Sequence, residues 1–189
     1  MLFRSSYLLS GKLEETNDAY AIAKIAGIKM CQSYNEQYNT NYKCLMPTNT
    51  YGPNDNYDKT NSHFFPALIK KVHKLKSTKN KTITLWGNGT SKREVIHVDD
   101  LADACVYLMN NYDGSEIINI GTGKDITIKE LAHTIKEVVG FEGDIYFNTD
   151  MPDGTPRKLL DVSRLRDLDW EYKTSLTEGI KMAYKDYVK

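Results

Sequence analysis

The chain has 189 residues, with 25 basic and 25 acidic side chains and a formal net charge of zero. That balance excludes the broad basic field of a nucleic-acid binder and gives no electrostatic pull toward an anionic membrane. No apolar run approaches the roughly 18 residues a membrane helix needs. Three widely spaced cysteines, Cys31, Cys44 and Cys105, read as reduced thiols of a cytoplasmic protein, not as a disulfide frame or a zinc site.

Met1 to Glu15 reads as loop, and Arg4, Ser5 and Ser6 interrupt any apolar stretch that a secretory signal would need. The first helix is predicted from about Asn17 to Tyr38, with Thr16 or Asn17 as its cap. Ala19, Ile22, Ala23, Ala26 and Met30 recur at helical spacing and predict an apolar face toward a core. Tyr20 and Lys24 lie four residues apart, so a helix points both to one place. A free phenol has a pKa of about 10 and exchanges protons poorly near neutrality. An ammonium beside it lowers that value, and the pair can then pass a proton to a carbonyl oxygen. The bland alternative for Y-x-x-x-K is a buried tyrosine and a solvated lysine.

Tyr42 to Met46 suits a short buried strand, and Pro47 to Asp55 is dense in turn formers. Helix, buried strand and polar loop form the α/β pattern, in which ligands bind beyond the strands' carboxyl ends. A second helix is predicted from His63 to Leu75, capped by Asn61 or Ser62 and striped by Phe64, Leu68 and Val72. His63 at its start would feel the positive end of the helix dipole and stay neutral, as a base requires. Lys70, Lys71, Lys74, Lys76, Lys79 and Lys81 read as a solvated face from which one or two cations could serve a phosphate.

Thr82 to Trp86 and Arg93 to Val98 alternate like strands, with Gly87-Asn88-Gly89-Thr90 as a hairpin-type turn between them. Asp99 is the expected cap of a helix through Leu101, Ala104, Cys105 and Leu108. Ile117 to Ile120 reads as a buried strand. Thr127 caps a helix that runs to Val139 and stops at Gly140. A short strand at Ile145 to Phe147, a polar loop from Met151 to Lys158, and helices near residues 163–168 and 176–187 complete the chain.

Seven stretches carry a family resemblance: NDAYAIAKIAG from Asn17, MPTNTYGPND from Met46, NSHFFPAL from Asn61, WGNG and REVIHVDD between Trp86 and Asp100, NIGTG from Asn119, and PDGTPRKLLD from Pro152. Together they resemble the GDP-L-fucose synthase family of the extended short-chain dehydrogenase/reductase superfamily. Y-x-x-x-K is shared by the whole superfamily; MPTNTYGPND, NSH and PDGTPRKLLD are far more specific. The resemblance implies NADPH-dependent 3,5-epimerisation and 4-reduction of GDP-4-keto-6-deoxy-D-mannose. It makes Tyr20, Lys24 and His63 catalytic. Tyr20 would protonate the C4 oxygen, and His63 would move protons at carbons acidified by the ketone. Lys24, Pro47, Thr48, Asn49, Thr50 and His63 would face NADP(H). Lys71, Trp86, Arg93 and Asp153 would contact the GDP-sugar, although Trp86 could instead be core, Arg93 a solvated strand end and Asp153 a turn residue. A homodimer paired through the Y-x-x-x-K helix is implied as well.

One departure stands out. The family opens on a strand, a glycine-rich turn and a helix that cradle the cofactor pyrophosphate, and this sequence has no G-x-x-G-x-x-G. The match starts near Tyr7 and resembles the C-terminal part of the enzyme. The expected fold is therefore α/β, a truncated Rossmann-like remnant at 1–51 and 98–123 with a smaller substrate domain at 52–97 and 124–189. Ile22, Ala26 and Leu45 would then lack their usual neighbours. The chain alone is expected neither to bind NADPH tightly nor to turn over. Alternatives are a non-catalytic GDP-sugar-binding or dimerising remnant, half of a split enzyme completed by an N-terminal chain, and another sugar-nucleotide epimerase or dehydratase of the superfamily.

Overall fold

A computed structural model describes residues 2–58, 61–78 and 81–189. Met1 and Lys79, both part of the expectations above, lie outside them. In chain order the elements are α1 (Asp18–Tyr38), β1 (Leu45–Pro47), β2 (Asn49–Tyr51), α2 (Phe64–Lys76), β3 (Thr82–Trp86), β4 (Lys92–His97), α3 (Val98–Asn111) and β5 (Ile118–Ile120). They continue with β6 (Asp125–Thr127), α4 (Ile128–Val139), β7 (Asp144–Asn148), β8 (Arg157–Lys158), α5 (Ser163–Asp167) and α6 (Leu176–Tyr187). The architecture is α/β, and parallel pairing dominates. Among the described residues no helix is long and apolar enough to cross a membrane.

Strand β4 is the hub. Its second half pairs in parallel with β2, Asn49 opposite Val95 and Tyr51 opposite His97. Its first half is flanked by β6, antiparallel, and by β8, parallel. Strand alternation then sends Glu94 and Ile96 to one face and Arg93 and Val95 to the other. Two apolar cores follow from that split. Val95 and Tyr51 join a core built from α2, β3, α4 and α6, with Ile69, Ile83, Ile135 and Ile180 fully buried. Ile96 joins a second core with Leu108, Ile118, Ile120, Leu165 and Trp170. Two further parallel pairs, β1 with β5 and β3 with β7, extend these layers.

Several expectations hold in detail. Thr127 and Glu130 form a reciprocal capping box, and Gly140 ends α4 at φ 70°, where a side chain would be strained. Others are corrected. The GNGT turn does not close a hairpin, because β3 pairs with β7 and not with β4. His97, not Asp99, is the N-cap of α3, its Nδ1 accepting from Asp99 N at 3.3 Å. His63, not Asn61 or Ser62, is the N-cap residue of α2, and it makes no side-chain capping bond. Asn17 occupies the cap position of α1 without a side-chain bond, while the Thr16 hydroxyl bonds Glu14. The first strand is shorter than expected, at three residues. The N-terminal stretch is not all loop: Phe3 N donates to Leu159 O at 2.8 Å, and Asp161 N donates to Phe3 O at 2.9 Å.

The largest correction concerns α1. It contains no buried residue, and Ile22 and Met30 are more than half exposed. The apolar face predicted from its spacing covers no core within this chain, whereas Leu45, also expected to lack neighbours, packs against the second core. Stability is concentrated elsewhere. Truncating Ile135 to alanine is expected to cost about 2–5 kcal/mol through lost burial and a residual cavity. Ile22→Ala should stay within about 0.5 kcal/mol. Urea denaturation of the two variants checks the contrast, and an Ile22→Ala loss as large as that of Ile135→Ala would contradict it.

Candidate functional site

The face of β4 that carries Arg93 and Val95 opens into a cleft of about 920 Å³. Its walls come from the Pro47–Thr50 connection, the start of α2, the end of β3, the start of α4 and the loop at 152–154. Every residue predicted for the site except Lys24 lines it: Tyr20, Pro47, Thr48, Asn49, Thr50, His63, Lys71, Trp86, Arg93 and Asp153.

Tyr20, on the first turn of α1, is 61% exposed and forms part of one wall. The Lys24 ammonium lies over its ring, 5.3 Å from the centroid, so the pair shares a face as helical spacing demands. The contact is with the ring, a cation–π geometry. The next wall is fixed by hydrogen bonds to the backbone. Thr48 N donates to Ile120 O at 2.9 Å, and Thr48 Oγ1 and Asn49 Nδ2 donate to Glu94 O at 3.1 and 2.9 Å. His63 stands exposed at the mouth, at the N-terminus of α2.

Two cations flank the interior. The Lys71 side chain donates to Thr84 O, and burial lowers its pKa. Arg93 donates to Lys92 O at 2.7 Å and to Thr155 O at 2.6 Å, and burial lowers its pKa as well. It is half-buried against the 152–158 loop, not a solvated strand end. Trp86 is 65% exposed at the end of β3, because alternation there buries Ile83 and Leu85 instead; it is not core. Asp153 accepts from Asn88 N at 3.2 Å, which ties its loop to the β3–β4 turn. Together these groups offer cations for a diphosphate, a carboxylate and hydroxyls for polar recognition, and a phenol and an imidazole for proton transfer.

Sequence reasoning missed the apolar floor of the cleft, made by Phe65, Leu68, Val95, Ile128 and Leu131. Of these, helical periodicity singled out Leu68 alone, as part of the apolar stripe of α2. It also missed Ser91, a buried polar residue in the wall, which carried no signal within a turn-rich stretch.

Residues 3–121 match the family described as NAD dependent epimerase/dehydratase. GDP-L-fucose synthase 1 of Arabidopsis thaliana is 52% identical over 184 residues, 97% of this chain and 57% of the relative. The GDP-L-fucose synthase of Escherichia coli K12 is 48% identical over 193 residues, 97% of this chain and 60% of the relative. A solved GDP-L-fucose synthetase from Naegleria fowleri bound to NADP superposes with a TM-score of 0.91 at 26% identity, covering 97% of this chain and 60% of that one. The chain thus spans a little over half the length of these relatives.

The lowered pKa of Lys71 is directly measurable. Its rate of acylation by an amine-selective reagent, followed by peptide mass spectrometry, should reach half-maximum below the ordinary lysine value of about 10.4. A midpoint at or above that value would contradict burial as the controlling influence.

Proposed function

Because the chain belongs to the NAD dependent epimerase/dehydratase family, we propose that its cleft is the substrate half of a GDP-L-fucose synthase site. The intact protein of this kind carries out 3,5-epimerisation and 4-reduction of GDP-4-keto-6-deoxy-D-mannose. Residues 1–51 and 98–123 belong to the cofactor side, and residues 52–97 and 124–189 to the substrate side. The observation that carries the reading is that Tyr20, His63, Lys71 and Arg93 border a single cleft.

Lys71 and Arg93 bind the diphosphate. Each is held by a backbone carbonyl, and the half-buried Arg93 charge acts in a less screened setting than a fully solvated cation does. Trp86 offers an exposed aromatic face at the rim, and Asp153 offers acceptor oxygens beside it. The sugar then lies toward Tyr20 and His63. His63 removes and returns protons at C3 and C5, which the C4 ketone acidifies. Tyr20 gives a proton to the C4 oxygen as the carbonyl is reduced, and the Lys24 charge over its ring offsets the negative charge left behind.

NADPH, when bound, supplies the hydride for that reduction. The residues present fit its nicotinamide end: Pro47, Thr48, Asn49 and Thr50 line the cleft with Tyr20, the Thr48 and Asn49 side chains bonded to Glu94 O, and Lys24, one turn from Tyr20 but outside the cleft lining, would hold the adjoining ribose. The sequence holds no G-x-x-G-x-x-G for the pyrophosphate. The 189-residue chain therefore binds the GDP portion of the substrate but neither holds NADPH tightly nor turns over. The exposed Ile22, Met30 and Tyr34 of α1 give a surface for the dimer pairing of the family or for a complementing chain.

Calorimetric titration of the purified chain with GDP and with NADPH, paired with an NADPH-oxidation assay on the keto-sugar, tests this. GDP should bind, and Arg93→Ala should weaken it about tenfold, as loss of a charge-assisted contact predicts. No NADPH oxidation is expected. Absence of GDP binding would remove the substrate-half reading, and steady NADPH oxidation would remove the claim of inactivity.

A further inference from the structure

Glu94 is the one fully buried carboxylate in the wall strand of the cleft, at 0% exposure. The chemistry above makes no use of it. Burial pushes its carboxyl up, while backbone N–H groups of Leu160, Gly123 and Thr122 pull it back down. A charge in such a place is costly unless its oxygens are satisfied, and here they are. Oε1 accepts from Gly123 N at 2.7 Å, and Oε2 accepts from Leu160 N at 2.8 Å. The same residue's carbonyl accepts from Thr48 Oγ1 and Asn49 Nδ2. Its carboxylate also fills the space where any side chain at Gly121 would begin, since a Cβ built there would lie 2.3 Å from Oε1.

Four chain segments therefore meet at one residue. Two of them border the cleft directly: β4 with Arg93, and the connection with Thr48 and Asn49. A third, through Leu160, is the downstream end of the segment that carries Asp153 and Thr155 along β4. That segment is pinned at Lys92 N to Pro156 O, 2.8 Å, and by the β8 register of Lys92 with Arg157 and Arg93 with Lys158. The fourth leads through Gly123 into β6. We propose that the Glu94 carboxylate is a positioning group for the cleft, clamping the downstream end of the Asp153–Thr155 segment at Leu160 and the turn at Gly123 onto β4 so that Arg93 and Asp153 keep their places. Where it concerns ligand affinity, this rests on the GDP-sugar reading given above.

Glu94→Gln is the informative change. Its amide retains one acceptor oxygen but presents an N–H₂ group to one of the two backbone donors, leaving that donor unsatisfied in a buried site. Gly121→Ala is a second route to the same end: its methyl displaces the carboxylate, and the charge is kept. Amide NMR spectra of the chain with each variant, thermal melts and GDP titrations well below the melting temperature form one experiment. Both variants should shift the amide resonances of Asp153 and Thr155 as well as those of Gly123 and Leu160, and weaken GDP about tenfold. A residue that merely stabilises the fold would lower the melting temperature and leave the GDP affinity of the folded protein unchanged. Shifts confined to Gly123 and Leu160, with GDP affinity within about twofold of the parent, overturn the proposal. If the parent chain itself does not bind GDP, the GDP-sugar reading fails, and the Asp153 and Thr155 resonances alone decide the role of Glu94. If Glu94→Gln does not fold, Gly121→Ala decides by the same readouts.

Discussion

The structure depends on β4 being paired along both edges of its first half while each of its faces packs against a different core. Lys92 and Arg93 lie between β6 and β8, and the strand continues beside β2. Because side chains alternate, one six-residue strand supplies Val95 to the core of α2, α4 and α6 and Ile96 to the core of α3 and α5. A one-residue slip would exchange these faces and place the carboxylate of Glu94 in the cleft and the guanidinium of Arg93 in the interior. The register is thus specified by burial on both sides.

The site inherits its geometry from that register. Arg93 enters the cleft because Glu94 cannot, and the Thr48–Asn49 wall is held by hydrogen bonds to the carbonyl of Glu94. Lys71 arrives from α2, whose buried Leu68, Ile69 and Val72 fix the rotation of the helix. Tyr20 and Lys24 are held differently. They lie on α1, which has no fully buried residue, so Tyr20 sits on the least anchored wall of the cleft. Lys71 and Arg93 rest on packed elements, whereas the phenol and the ammonium rest on a helix whose Ile22, Met30 and Tyr34 face outward.

Much of the fold was legible in the sequence where a strong periodic pattern agreed with burial. Ile83 and Leu85 alternating with Thr82 and Thr84 marked β3, and the Thr127 cap and Gly140 marked α4. The short strands were not legible. Asn49-Thr50-Tyr51 has the composition of a turn and becomes a strand because β4 lies beside it. The GNGT sequence carries a hairpin signal, but the partner of β3 is supplied by a distant segment that local residues cannot report. The cleft residues were legible through motif resemblance, which places residue types without saying how they are held. Glu94 was hidden for the opposite reason: an acid in an alternating strand reads as solvent-facing, and only three-dimensional burial reveals that it faces inward.

The central claim is that the β4 face between Lys71 and Arg93 receives the diphosphate of a guanine nucleotide sugar. A crystal structure of the chain soaked with GDP tests it most directly. The account predicts the diphosphate within hydrogen-bonding distance of the Arg93 guanidinium and the Lys71 ammonium, and the open end of the cleft directed toward Tyr20 and His63. A nucleotide bound anywhere else on the chain, with this cleft occupied by solvent, would contradict it.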